Sequence, residues 1–414
     1  MCYYSSTDAP SLSPSFTNQP SISSQPSSSI PYDWDAIGDK LLGTPGGFEY
    51  GLNVKLSGDG KTLAAIQPLE DRIDVYDYKY GYWIKRISPI NVIENSMDGG
   101  AEIDMSNDGA VIAIGGRHWA NRTGAVQVWK WDNEAWTQLG ATMYGYRQKD
   151  EFGVSVALSG DGLDMIIGSR DEITNKNRGS ARVYHFDGDV WFQRGYTISG
   201  YYEGDFLAGR DETVAMTDDG NIIAIGAYGR RLVRVLSWDG SDWVRFGDDI
   251  LRPDEYTFGS SVEISSGKDG NLVLAVASPK AEPKEDNIRG LIRIFEWNGS
   301  NWSERRGSPV QVQPSTVFGY TLALSDDGNT FMAPSDTAAY VFDWNGNEWK
   351  LRNESPVLQV GGDPQGIPIM TAIMVDMSGD GNTIAIGMPE DDDSFWYGDN
   401  EGYVKSFKWT AAVN

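Results

Sequence analysis

A two-residue step, Asp-Gly, returns seven times along the chain behind short runs of alternating apolar residues, at Asp59, Asp108, Asp161, Asp219, Asp269, Asp327 and Asp380. Successive aspartates are 49, 53, 58, 50, 58 and 53 residues apart. A period of that length, carrying strand signals and no helical ones, restricts the chain to a β-propeller or a β-solenoid. Asp and Gly both tolerate the positive φ of a tight hairpin, so each step reads as a turn between antiparallel strands.

One period resolves into four strands. In the third, residues 152–159 (FGVSVALS) lead through the turn into 163–169 (LDMIIGS), and a variable loop leads to 180–186 (SARVYHF) and 191–198 (WFQRGYTI). The same frame returns at 258–264, 272–278 and 291–297, and again at 318–324 and 339–344. Residues 233–238 alternate between two faces. Residues 222–227 (IIAIGA) are apolar throughout, as a strand covered on both faces must be. Aromatic pairs flank the next turn: Trp131 with Trp136, Trp238 with Trp243, Trp297 with Trp302, and Trp344 with Trp349. Their return in successive repeats marks them as pairs across a hairpin rather than as a sugar-binding box.

The seventh period stops after its third strand, residues 403–409. Its missing strand lies at the other end, where Trp34 to Gly43 aligns with Trp136 to Gly145. The expectation is an all-β, seven-bladed β-propeller of four-stranded antiparallel blades over residues 32–410. One N-terminal strand joins three C-terminal ones in the last blade, which leaves no open edge. Residues 411–414 read as a tail. Residues 1–31 are rich in Ser and Pro and poor in apolar groups, and read as a disordered arm, a stalk or a plain linker.

The Phe-Gly steps at Phe152-Gly153, Phe258-Gly259 and Phe318-Gly319 resemble the FG-GAP repeats of integrin-α-like propellers. The small-residue steps 114–116, 167–169 and 225–227 stand where that family has its GAP. Three blades depart from the pattern: Phe48 is separated from Gly51, Phe206 from Gly209, and Gly366 has no Phe before it. The Asp-Gly turns also resemble those of WD40-type propellers. The FG-GAP resemblance implies calcium in an Asp-rich loop between the first two strands, but turns such as SGDG and SDDG carry too few carboxylates for a cation that takes six to eight oxygens. No cofactor is expected. Asp391, Asp393 and Asp399 are the candidates for a loosely held calcium ion, without the spacing of an EF-hand.

The 59 acidic and 34 basic residues give a formal charge of −25, which repels phosphate backbones and excludes nucleic acid as a partner. No apolar run is long enough to span a bilayer. Cys2, the single cysteine, lies outside the repeats, so the fold has no internal disulfide. Met1 to Pro10 have neither a basic start nor an apolar stretch, so no signal peptide is visible. The arm and the acidity fit a monomer that is extracellular or at the cell surface.

Only two histidines occur, His118 and His185, and no nucleophile, metal-site or phosphate-loop motif is present. No catalytic residue is assigned. No acidic residue is expected to recur at one strand position, as a propeller hydrolase would require. The preferred reading is a non-enzymatic module that recognises a protein or a glycan. A glycosidase-like hydrolase with carboxylates at the channel mouth is the alternative, and a structural or assembly role the third. The two variable connections of each repeat should emerge on one rim. There the binding candidates are Arg117, His118, Trp119, Tyr146, Arg170, Tyr201, Tyr202, Tyr228, Arg230, Tyr256, Phe395 and Trp396.

Overall fold

The structure, a computed structural model, describes residues 32–44, 49–92, 101–171, 176–267, 270–281, 290–312, 317–335, 338–359, 373–389 and 402–411. Seven antiparallel sheets follow one another in chain order. Their first strands are Val54–Leu56, Glu102–Met105, Val156–Leu158, Val214–Met216, Ser261–Ser265, Ala323–Leu324 and Met374–Met377. Each lies against the first strand of the next blade, and the seventh against the first, so together they wall a central channel.

The seventh blade closes as the alignment of chain ends requires. Tyr32–Ala36 pairs antiparallel with Tyr403–Ala411, with Tyr32 opposite Ala411 and Ala36 opposite Phe407. Leu41 and Leu42 continue the pairing opposite Val404 and Tyr403. The outer strand is likewise broken in other blades. In blade 3 it divides into Trp191–Gln193 and Ile198–Ser199, where Gly195 takes a positive φ.

The second strands are buried at nearly every position, as in Val111–Gly116 and Val273–Ser278, because neighbouring blades cover both faces. Each apolar cluster spans a junction. Ile66 and Ile73 of blade 1, for instance, meet Ile103, Ile112 and Trp136 of blade 2. At about 1.5–3 kcal/mol per buried aliphatic side chain, these junctions supply most of the burial energy.

The Asp-Gly turns work differently from the expectation in one respect. Among the described residues of the Asp-Gly steps only the glycines adopt the left-handed conformation, with φ between 65 and 73°. The aspartate caps the turn instead. Asp59 Oδ1 accepts from the Ser57 hydroxyl at 2.8 Å and from the Lys61 amide at 2.9 Å. Asp108, Asp161, Asp219, Asp327 and Asp380 do the same. At Asp59, Asp219 and Asp380 burial pushes the carboxyl up, but these hydrogen bonds outweigh it and hold the group below its usual range.

The Phe-Gly steps seat each blade on the one before. The Gly153 amide donates to the Gly168 carbonyl of its own second strand, and its carbonyl lies where a Cβ on Gly115 of blade 2 would overlap it. Gly226 meets Gly259 in the same way, and Gly387 meets Gly51. In blade 1 the pair is Tyr50-Gly51 rather than Phe48 with Gly51. In blade 4 it is Leu207-Ala208 rather than Phe206 with Gly209. The sequence spacing misplaced these because what the seat requires is an apolar side chain followed by a close backbone approach, not the letters themselves. Gly366 lies outside the described residues.

Aromatic pairs cross the outer strand pair in all seven blades, the four noted in the sequence being joined by Tyr78–Trp83 and Phe186–Trp191 within hairpins and by Trp34–Trp409 across the closing strands. An arginine from the preceding blade clasps four of them. Arg86, Arg194, Arg305 and Arg352 stack on the indoles of the next blade at 4.6–5.4 Å. Each also donates to the carbonyl of that blade's turn glycine: Gly109, Gly220, Gly328 or Gly381. At the other junctions Ile37, Leu139 and Phe246 pack against the pair instead.

Candidate functional site

With the repeats laid on the structure, the residue in the middle of each first strand faces the channel. Around the ring these are Lys55, Asp104, Ala157, Ala215, Glu263, Ala323 and Asp376. Acidic residues thus do recur at one strand position, in blades 2, 5 and 7, contrary to the expectation above. Asp104 and Asp376 each accept the main-chain amide of the next blade, from Leu158 at 2.7 Å and Leu56 at 2.6 Å. Glu263 has no hydrogen-bond partner among the described residues.

Lys55 is the one cation of this belt, and its ammonium lies 4.0 Å from Glu212 Oε1. Burial pulls it down, but Glu212, Asp376, Asp104 and Glu263 outweigh burial and hold it well above the ordinary lysine range. The carboxyls move the other way. Burial pushes Asp376 up to about 6, against the pull of Lys55 and of the Leu56 amide. Burial also raises Asp104, Glu212 and Glu263. Glu102 is driven well above its usual range by burial, then by Glu212 and Asp211.

Lys55 stands between two cavities. On the turn side a cavity of about 130 Å³ is bounded by the second residues of the Asp-Gly turns. There backbone hydrogen bonds link blade to blade: Gly58 to Asn107, Asn107 to Gly160, Gly160 to Asp218, Asp326 to Gly379, and Gly379 to Gly58. Blade 5, whose turn is three residues longer between paired positions, interrupts this belt. A ring so bonded leaves little room for a ligand.

The other mouth, of about 230 Å³, is lined by Leu52, Ala101, Glu102, Arg117, Arg210, Asp211, Glu212, Tyr320, Thr321 and Met374. Blade 4 builds it. Gly209 to Glu212, four residues, stand where blade 3 has Val154 alone, and Phe206, Ala208 and Glu212 are non-glycine residues at positive φ. Arg117 is ion-paired with Asp211, and the Asn53 amide holds Glu102 at 3.2 Å. Arg210 lies over the rings of Tyr228 and Tyr320.

The remaining described candidates lie on loops of both variable sets. Trp119, in a short helical turn entered through His118, stacks on Tyr144 at 4.6 Å. Arg170 lies 3.7 Å from Glu151 and over the Phe206 ring. Tyr228 stacks on Phe206 at 4.9 Å. Tyr146, Tyr201, Tyr202 and Tyr256 are 50–72% exposed. Each backs onto a guanidinium: Arg182, Arg234, Arg230 and Arg231 respectively. The buried loop carboxylates serve to shape the loops. Asp205, for example, accepts the Tyr201 and Tyr202 amides at 2.8 Å each. Phe395, Trp396, Asp391, Asp393 and Asp399 lie outside the described residues. Among the described residues, no group of three or more His, Cys, Asp or Glu is placed to hold a metal ion, and no helix is long and apolar enough to cross a membrane.

The channel residues escaped the sequence reading, although their signal was present. Lys55, Asp104 and Asp376 each stand four positions before the aspartate of their turn.

No family model matches the chain, and the search of curated proteins found no match. Solved structures are similar in fold. Hydrazine synthase of Kuenenia stuttgartiensis is 12% identical with a TM-score of 0.53, over 84% of this chain and 94% of that one. The β-propeller domain of Myceliophteria thermophila Cps50 (Swd1) is 10% identical with a TM-score of 0.51, over 92% and 100%. The C-terminal WD40 domain of Sif2 is 12% identical with a TM-score of 0.50, over 91% and 98%. At such identities the likeness speaks for architecture alone: the chain is a seven-bladed β-propeller with WD40-like structural neighbours.

Proposed function

We propose that this propeller is a non-enzymatic recognition module, binding a protein or a glycan through its variable-loop rim. The observation that carries the reading is the row Tyr146, Tyr201, Tyr202 and Tyr256, which spans the loops leading into blades 3, 4 and 5. Each ring is exposed, and each is backed by an arginine. Tyrosine presents a large amphipathic face at small entropic cost, and arginine beneath it restricts the ring. The Ser/Pro arm and the acidic surface support a place outside the cell or at its surface, which surface proteolysis of intact cells would test.

The reading is tested by binding to an array of oligosaccharides, beside an unrelated seven-bladed propeller as control. A signal that disappears in Tyr201→Ala/Tyr202→Ala, with melting unchanged, supports the rim. Binding that survives in that variant removes it.

A second reading, a glycosidase-like hydrolase, is favoured by Glu102 and Glu212 at the mouth. Glu102 is held towards its protonated form while Glu212 faces Lys55, as an acid and a carboxylate partner would be. Turnover of chromogenic glycosides that is abolished in Glu102→Gln would establish it, and no turnover at any pH from 4 to 8 would end it.

A further inference from the structure

The mouth cavity has a chemistry of its own. Arg117 at this mouth has Asp211, but Arg210 has no carboxylate partner among the described residues. Its guanidinium lies over Tyr228 and Tyr320, 5.7 and 5.8 Å from the ring centroids. The side chain is presented by the blade 4 insertion, whose flanking left-handed residues persist only where the surrounding structure holds them.

Thr321 supplies a second, independent sign. It is 4% exposed, it lines the cavity, and its hydroxyl has no hydrogen-bond partner among the described residues. The hydroxyl at the same repeat position in blade 3, that of Ser155, accepts the Thr213 and Val214 amides at 3.1 and 3.2 Å. A buried hydroxyl without a partner costs stability unless something outside the chain satisfies it. Leu52, Ala101, Met374 and the Tyr320 ring make one part of the wall apolar, and the carboxyls Glu102, Asp211 and Glu212 complete the lining.

We propose that this cavity binds an acidic sugar of one ring, a hexuronic acid residue. Its carboxylate meets Arg210 as a planar guanidinium favours. A ring hydroxyl meets Thr321, and the C–H face of the sugar lies on Tyr320. The cavity, of about 230 Å³, has room for one pyranose ring. This names a ligand class for the recognition module proposed above and rests on that reading, but it concerns the axial mouth rather than the tyrosine row.

The test is calorimetric titration of the full chain with D-glucuronate and, separately, D-glucose. Glucuronate is expected to bind at least about tenfold more tightly than glucose. Arg210→Gln and Thr321→Val should each weaken glucuronate by about five- to tenfold without lowering the melting temperature. Tyr256→Ala, on the outer rim, should leave it unchanged. A silent glucuronate titration, equal affinity for glucose, or undiminished binding in Arg210→Gln would overturn the proposal. If glucuronate is silent while the array signal still depends on Tyr201 and Tyr202, only this inference falls. If glucuronate binds and the array signal ignores those tyrosines, only the rim reading falls.

Discussion

Trp34 and Trp409 face each other across the seam of the ring, their centroids 5.3 Å apart and Arg352 over both, where other blades place a pair within one hairpin. The two ends of the repeat region are therefore joined by the same part used at every other blade. Deleting residues 32–43 should lower the melting temperature of the whole domain. Trp34→Ala alone should cost about 2 kcal/mol, less than a fully buried indole because Trp34 is half-buried. Thermal melts of both variants check this, and an unchanged transition in the deletion would refute closure by this strand.

The arginine clasp should be specific for guanidinium. Arg305 stacks on Trp344 while bonding the Gly328 carbonyl at 2.9 Å and Glu296 at 3.0 Å. Arg305→Ala should cost about 3 kcal/mol, and Arg305→Lys should recover less than half of that, because an ammonium cannot stack and fork together. Denaturant midpoints of the two variants settle the point.

Asp376 makes stability depend on pH in a defined direction. Its carboxyl titrates at about 6 when folded against the ordinary aspartate value of 3.8, so between these values the folded state holds a proton that the unfolded state has lost. That contribution is fully present below the unfolded value and is lost as pH rises through 6. Asp376→Asn keeps an acceptor for the Leu56 amide and removes the titration. The shift alone is worth up to about 3 kcal/mol, and the lost attraction to Lys55 takes back part. The variant should gain about 1 kcal/mol at pH 8 and nothing at pH 4, as read by urea unfolding at both.

Lys55→Met should do the reverse. Without the ammonium, Glu212, Asp104, Glu263 and Asp376 face one another with no cation within their belt, at a cost of about 3 kcal/mol near pH 8. The loss should shrink towards pH 4 as those raised carboxyls take up protons. A pH-independent loss would mean that the side chain acts by packing.

Gly226→Ala should be among the most damaging single changes in the fold. A Cβ there would overlap the Gly259 carbonyl, which is backbone and cannot swing aside. A loss of about 3 kcal/mol or more is expected, against about 1 kcal/mol for Gly240→Ala, where the added methyl would meet nothing within 4 Å and the φ of 100° is the only obstacle.

What the sequence disclosed and what it withheld follow from the range of the interactions. The turns at Asp59 and its counterparts are legible because capping and left-handed glycine are local chemistry. Trp34 could be matched to Trp136 because an outer strand carries the same pattern wherever it sits in the chain. Leu207-Ala208 was hidden because its role is to approach Gly168 and Gly226, contacts that no local pattern encodes. Lys55, Asp104, Glu263 and Asp376 were hidden for a related reason. Each is unremarkable in its own strand, and they become a group only when seven repeats are wrapped around one axis. The blade 4 insertion disturbed the spacing around Phe206 and Gly209, and that irregularity was the one visible trace of the mouth.

The closing seam also fixes how the molecule answers to force. Tyr32 lies opposite Ala411, so the two ends of the closing pair leave the sheet at the same edge. Tension applied between them loads the rungs one after another, beginning at Tyr32, rather than all at once in shear. Drawn apart at its ends, the ring opens as a zip does, and blade 7 parts before any other blade is strained.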